Sequence, residues 1–356
     1  MTLIRPDLAT LPAYVPGKAI PGLVKLASNE VPLPPTPPVL AAIAEAAAMG
    51  NRYPDLAVVG LTERLSRSLG VAAERIAVGC GSVSLCQQLV SATCLEPEDE
   101  VLYAWRSFEA YPIVSQIGGA SRVTVPLDAA FRHDVDAMIA AVTPRTRLVF
   151  VCSPNNPTGT VVTRAELERL LAAVGPDVLV ALDEAYHEYV TDPDYPDAIA
   201  EHVHERPNVA VLRTFSKIYG LAGLRIGYLV GPSGVVREAM KVRNPFDVSE
   251  IAHAAALASL DDAAEVARRR ALNERGREEL AAALREAGME PLPSVGNFLT
   301  ADVGDGRALA RALEAEGVIV RPLEPFGAPE SIRVTVGTPE DNAAFAAALG
   351  RALQPR

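Results

Sequence analysis

Residues 147–186 read RLVFVCSPNNPTGTVVTRAELERLLAAVGPDVLVALDEAY, and their periodicity decides the fold. Arg147–Cys152 is a short, almost unbroken apolar run rich in β-branched residues, which reads as a strand. Ser153-Pro-Asn-Asn-Pro-Thr-Gly159 then interrupts it with turn-forming residues. Thr163-Arg-Ala-Glu166 has the spacing of a capping box, and Leu167, Leu170 and Leu171 follow at helical intervals. A second apolar run, Asp177–Leu182, completes a strand–helix–strand unit. Strands that are apolar at successive positions, rather than alternately, belong in a parallel sheet covered on both faces.

The same alternation extends outward. Arg75–Val78, Glu100–Ala104, Ser121–Val125, Asn208–Arg213 and Arg225–Val230 read as further strands, seven in all, with amphipathic helical patterns between most of them. Beyond Pro245 the pattern changes. A charged, alanine-rich stretch from Ser249 to Gly288 reads as helices with no strand between them. Asn297–Val303, Val318–Arg321 and Ile332–Val336 read as strands of a separate small sheet, with helices at Arg307–Glu316 and Pro339–Leu353. Residues 1–35 are rich in proline and read as an extended arm packed on another element. The expectation is an α/β protein: a large domain at 36–245 with a mostly parallel seven-stranded sheet covered by helices, a smaller α/β C-terminal domain at 246–356, and an N-terminal arm at 1–35.

A chain of 356 residues can bury two such cores. Lys and Arg total 33 against 44 Asp and Glu, a net charge of −11 with no basic run, which argues against nucleic acid or an anionic membrane as a partner. No apolar stretch reaches the 18 or more residues that span a bilayer, and prolines interrupt the N-terminal stretch where a signal peptide would be apolar, so the cytoplasm is expected. Cys80, Cys86, Cys94 and Cys152 form no CxxC pair and read as buried, reduced thiols. His202-Val-His204 lacks further ligands at metal-binding spacing and reads as a solvated loop; no metal site is expected.

In open parallel sheets ligands sit beyond the carboxyl ends of the strands. Four such positions are chemically unusual: Ser153–Gly159; Asp183-Glu-Ala-Tyr186; Thr214-Phe-Ser-Lys217; and Arg225 at the start of its run. Taken singly, each has an ordinary explanation as a turn, a helix cap, a surface lysine or an ion-pair partner. One cofactor, pyridoxal 5′-phosphate, accounts for all four. Its aldehyde takes a lysine amine, here Lys217, and its pyridine nitrogen takes a carboxylate, here Asp183. Asn156 and Tyr186 can hydrogen-bond its phenolic oxygen. Its phosphate suits Arg225, the Ser216 hydroxyl and the free N–H groups of Gly81, Ser82 and Val83, where strand turns into helix. The rival dinucleotide fingerprint fails because Ser84 stands in place of the third glycine. Phe108 either covers the cofactor ring or is ordinary packing at a helix start.

These motifs, together with Ala13-Tyr-Val-Pro-Gly-Lys18, Leu26-Ala-Ser-Asn-Glu30, Asn51-Arg-Tyr-Pro-Asp55, Gly223-Leu-Arg-Ile-Gly227, Asn297-Phe298 and Arg333-Val-Thr-Val-Gly-Thr338, resemble the fold-type I, class II pyridoxal-phosphate aminotransferases over essentially the whole chain. The resemblance is to their histidinol-phosphate aminotransferase branch. It implies Lys217 as the cofactor-bearing lysine and proton shuttle, with Asp183 on the ring nitrogen. It further implies a homodimer with shared sites, in which Tyr53 reaches the neighbouring subunit's cofactor phosphate. Arg333 would clamp the substrate carboxylate, with Arg321 as an auxiliary cation and Tyr14 lining the pocket. Trp105-Arg-Ser-Phe108 departs from the stretch usual in histidinol-phosphate enzymes, and Gly79–Gln88 and Asn29-Glu-Val-Pro32 look more like the aromatic amino acid aminotransferases of that branch. The implied reaction moves an amino group between phenylalanine, tyrosine or tryptophan and 2-oxoglutarate by a ping-pong mechanism; histidinol phosphate is the alternative substrate. A decarboxylase or carbon–sulfur lyase would use the same lysine and aspartate. A non-catalytic module on this fold is expected to have lost one of them, and both are present.

Overall fold

The computed structural model describes residues 5–11 and 17–354. Among the described residues eleven strands form two sheets: β1 (Val24–Leu26), β2 (Ile76–Gly79), β3 (Glu100–Trp105), β4 (Ser121–Pro126), β5 (Thr146–Cys152), β6 (Leu179–Asp183), β7 (Val209–Thr214), β8 (Gly227–Val230), β9 (Phe298–Asp302), β10 (Val318–Pro322) and β11 (Ser331–Thr335). The large sheet runs β2-β8-β7-β6-β5-β3-β4. It is parallel throughout except for β8, which is antiparallel to β2 and to β7.

The apolar runs are continuous because the sheet is buried on both faces. Along β5, Val149 and Val151 join one core cluster, while Leu148, Phe150 and Cys152 join the cluster on the opposite face. Between β5 and β6 the helix Arg164–Ala173 is closed by the expected capping box of Thr163 and Glu166.

The small sheet runs β1-β10-β11-β9. Its outer strand comes from the N-terminal arm: β1 pairs in parallel with β10, Val24 opposite Val318, and Leu26 joins the small core. The long helical stretch resolves into helices Glu250–Leu260 and Ala263–Glu286.

Three local expectations are corrected. Arg225 does not open a strand: it follows a 3-10 turn, Ala222–Leu224, in left-handed conformation (φ 57°), and β8 begins at Gly227. His202 is not in a solvated loop. It is buried in the helical turn Ile199–Val203, its Nδ1 3.8 Å from the Glu168 carboxylate, because that turn folds back on helix Arg164–Ala173. All four cysteines are free thiols, but only Cys86 and Cys152 are buried; Cys80 and Cys94 are half-buried. Among the described residues no helix is long and apolar enough to cross a membrane, and no cluster of three metal-ligating side chains occurs.

Candidate active site

Strand register gathers the site at one rim of the large sheet. Cys152 lies opposite Asp183, so the carboxyl ends of β5 and β6 are level. Thr214 at the end of β7 faces Gly227 at the start of β8, because β8 runs the other way; Arg225, two residues earlier, therefore stands at the same rim. Gly227 also faces Gly79, the last residue of β2, so the helix Gly81–Thr93 starts there too. A Cβ on Gly227 would come within 2.9 Å of the Ser82 nitrogen and the Arg213 carbonyl oxygen, so only glycine permits this approach.

A cavity of about 510 Å³ opens at this rim, lined by Ser82, Val83, Phe108, Asn156, Asp183, Tyr186, Ser216, Lys217 and Arg225 among others. It is continuous in lining with an open cleft of about 1180 Å³ that adds Arg321 and Arg333 from the small sheet. Of the sequence-predicted residues that the structure describes, these two spaces unite all except Gly81 and Tyr53. Gly81 sits beside the cavity: it is left-handed (φ +77°), and a Cβ there would lie 2.6 Å from Arg225 Nη2. Tyr53 is 83% exposed and stacks on Phe246, with ring centroids 4.7 Å apart. Tyr14 lies outside the described residues.

Asp183 is fully buried, and burial raises its carboxyl to about 6, opposed by Tyr111 and by the charge of Lys217. Tyr111 Oη donates to Asp183 Oδ2 at 2.8 Å, and the Ala185 amide donates to Oδ1 at 3.3 Å. The Tyr111 ring is stacked on Phe150 and edge-on to Phe108, which fixes the hydroxyl. Lys217 is pushed down to about 8 by burial first, then by Arg333 and Arg225, with Glu30 and Asp183 opposing. Its Nζ is 3.4 Å from the Asn29 carbonyl and 5.3 Å from the centre of the Tyr186 ring. Arg225 Nη1 donates to Ser216 Oγ at 3.2 Å and to the Ala222 carbonyl at 2.9 Å.

The segment after β1 ties the two sheets together at the site. Asn29 is buried and left-handed (φ 53°), with its Nδ2 donating to Tyr186 Oη at 2.9 Å. Its own amide donates to Thr335 Oγ1, and its carbonyl accepts from Asn297 Nδ2. Arg333 Nη1 donates to Asn156 Oδ1 at 2.6 Å, and Nη2 donates to the Ala27 carbonyl. Arg321 lies directly opposite Arg333 on the neighbouring strand and is ion-paired with Glu109 at 3.1 Å.

Sequence reasoning passed over Tyr111, Asn29 and Glu109. Tyr111 and Glu109 follow Phe108 within one helical turn, and Asn29 stands inside Leu26-Ala-Ser-Asn-Glu30, so position relative to a chosen residue was the available signal.

A profile described as "Aminotransferase class I and II" matches residues 21–349. An aromatic amino acid aminotransferase of Nocardia farcinica is 54% identical over 345 residues, covering 96% of this chain and 95% of that protein. One from Streptomyces avermitilis is 50% identical over 348 residues, covering 96% and 95%. The crystal structure of a histidinol-phosphate aminotransferase from Sinorhizobium meliloti in complex with pyridoxal-5′-phosphate superposes with a TM-score of 0.90 at 30% identity, covering 99% of this chain and 98% of that one. The chain therefore belongs to the class I and II aminotransferases.

Proposed function

We propose that the protein is a pyridoxal-phosphate-dependent transaminase that moves an amino group between phenylalanine, tyrosine or tryptophan and 2-oxoglutarate in a ping-pong cycle, working in the cytoplasm as a homodimer. The observation that carries this reading is the meeting of Lys217 and buried Asp183 in one cavity, beneath the two arginines of the small sheet. The relatives named aromatic amino acid aminotransferases support the aromatic substrate.

The residues present fit the cofactor. Asp183 is a carboxylate whose described hydrogen bonds come from neutral groups, in a wall where burial already raises its affinity for positive charge. Gly81 leaves space in front of the Arg225 guanidinium that a Cβ would fill. When bound, pyridoxal phosphate supplies an aldehyde that accepts the amino group and a ring that withdraws electrons from the substrate. Asp183 holds the ring nitrogen protonated, and Tyr111 holds Asp183 in place. Asn156 and Tyr186 hydrogen-bond the phenolic oxygen, and Phe108 covers the ring. The amides of Gly81, Ser82 and Val83, the Ser216 hydroxyl and Arg225 hold the phosphate. Lys217 would bear the cofactor, and in its free form the same amine would take the proton from the substrate α-carbon and act as the proton shuttle of the reaction. Arg333 clamps the α-carboxylate, and Arg321 is the auxiliary cation. Tyr53 lines neither cavity and is exposed, as suits a residue that reaches the phosphate in a neighbouring subunit.

Incubation with phenylalanine and 2-oxoglutarate tests the reading: phenylpyruvate and glutamate are expected in equal amounts. Carbon dioxide and phenethylamine in their place would assign a decarboxylase, and thiol released from a separately supplied cysteine conjugate, with no phenylpyruvate formed from phenylalanine, would assign a carbon–sulfur lyase. The two arginines side by side also suit the phosphate of histidinol phosphate. A kcat/KM for histidinol phosphate above that for phenylalanine would decide for that substrate.

A further inference from the structure

The Arg321 guanidinium does not face the cleft as an unneutralised cation. Its Nη2 is 3.1 Å from Glu109 Oε2, and the two side chains retain only 7% and 19% of their exposure. Its Cζ also lies 5.8 Å from the centre of the Phe326 ring. Glu109 immediately follows Phe108, ahead of the helix Ala110–Ile117, whereas Arg321 is on β10, so the pair spans from the large sheet to the small one. Arg106, from the same loop as Glu109, donates to the Gly327 carbonyl just beyond β10, which holds the two loops together. Glu109, Arg321 and Arg333 all line the same cleft.

We infer that Glu109 is a built-in counter-ion for Arg321 that tunes the side-chain pocket toward neutral substrates and against a second anionic group. This rests on the proposed transaminase reading. An aromatic ring entering the cleft leaves the pair intact and buries apolar surface beside Phe108. A distal carboxylate or phosphate gains Arg321 only by displacing the Glu109 carboxylate, which then has to be resolvated or paired elsewhere. The acceptor 2-oxoglutarate meets this competition as well, so its KM is set partly by Glu109. Glu109 is thus a positioning residue that acts through Arg321.

The test is Glu109→Gln, which keeps the side-chain shape and removes the charge, with Glu109→Asp as the charge-conserving control. In Glu109→Gln the ratio of kcat/KM for glutamate to that for phenylalanine should rise about tenfold or more, with the change falling on KM. Glu109→Asp should leave that ratio near the wild-type value. A purely bridging role would weaken both substrates together and leave the ratio within twofold of wild type, which overturns the inference. Binding supplies an independent readout on the cofactor-loaded protein. Calorimetry with glutarate, a dianion, and 3-phenylpropionate, a monoanion, should show the ratio of their dissociation constants shifting about tenfold toward glutarate in Glu109→Gln. If the wild type transaminates neither amino acid but the binding ratio shifts, the functional reading fails and the counter-ion stands. If transamination is present and neither ratio moves, the counter-ion is refuted and the function stands. A Glu109→Gln protein too unstable to assay, beside an Asp variant that is stable, would make Glu109 a structural anchor and also overturn the inference.

Discussion

Asp183→Asn should stabilise the protein without its cofactor while destroying its activity. The carboxyl is raised from 3.8 to about 6 by burial, and the Tyr111 hydroxyl only partly offsets this. A carboxyl with a raised folded-state value binds more protons when folded than when unfolded, between pH 3.8 and about 6. Stability therefore falls as pH rises through that window, and the whole penalty is present above it. At 1.36 kcal/mol per unit the penalty at pH 7.5 is about 3 kcal/mol. The amide keeps an acceptor for the Tyr111 hydroxyl and carries no charge, so it should recover up to that amount. Spread over the unfolding entropy of 356 residues, this is a rise of about 4 °C in Tm. The assay is thermal unfolding of cofactor-free wild type and variant at pH 7.5 and pH 5. The advantage should shrink at pH 5, where Asp183 takes up its proton in the fold. Transamination at pH 7.5 should fall on the order of a hundredfold or more, because the ring nitrogen loses its counter-charge. An Asn variant that melts below wild type at pH 7.5 would refute the reasoning, since Asp183 would then be a compensated anion and not a strained one.

Three further outcomes follow from the geometry. Because Lys217 is depressed to about 8, cofactor uptake by the cofactor-free protein, followed by absorbance, should speed up about tenfold per pH unit below 8 and level off above; a flat profile would mean that the amine does not control uptake. Tyr111→Phe removes the hydrogen bond that holds Asp183 and should lower kcat about tenfold while moving the acid limb of the pH profile upward, readable in a pH–rate series. Gly81→Ala forces a left-handed alanine whose Cβ displaces the Arg225 guanidinium, and should weaken cofactor binding about tenfold in a spectroscopic titration; unchanged affinity would remove Arg225 and the Gly81 turn from the phosphate site.

The parts of the fold that were legible are those with a strong local signal. The large sheet declares itself because strands buried on both faces are apolar at nearly every position, as Leu148–Cys152 is on β5. The three-residue β1 has no such signal: its partner lies almost 300 positions away at Val318, and register at that range is a tertiary outcome. Lys217, Asp183, Asn156 and Tyr186 stood out because polar residues at the ends of apolar strands are rare enough to question. Tyr111 did not, since an aromatic on a short apolar helix looks like core, and its ring is core; only its hydroxyl, 2.8 Å from Asp183, belongs to the site. Arg225 was identified, but its backbone was misread, because a left-handed residue ahead of a strand leaves no mark in apolar periodicity. The Glu109–Arg321 pair joins positions 212 apart, and no spacing rule reaches that far.

The central claim is that the Lys217 amine, at the rim of the large sheet, carries pyridoxal phosphate. The direct measurement is to load the protein with the cofactor, reduce with borohydride, digest, and locate the added mass by fragmentation. The account predicts a single stoichiometric adduct on the peptide bearing Lys217, absent in Lys217→Ala. An adduct on Lys25, Lys18 or Lys241, or none at all, would contradict it.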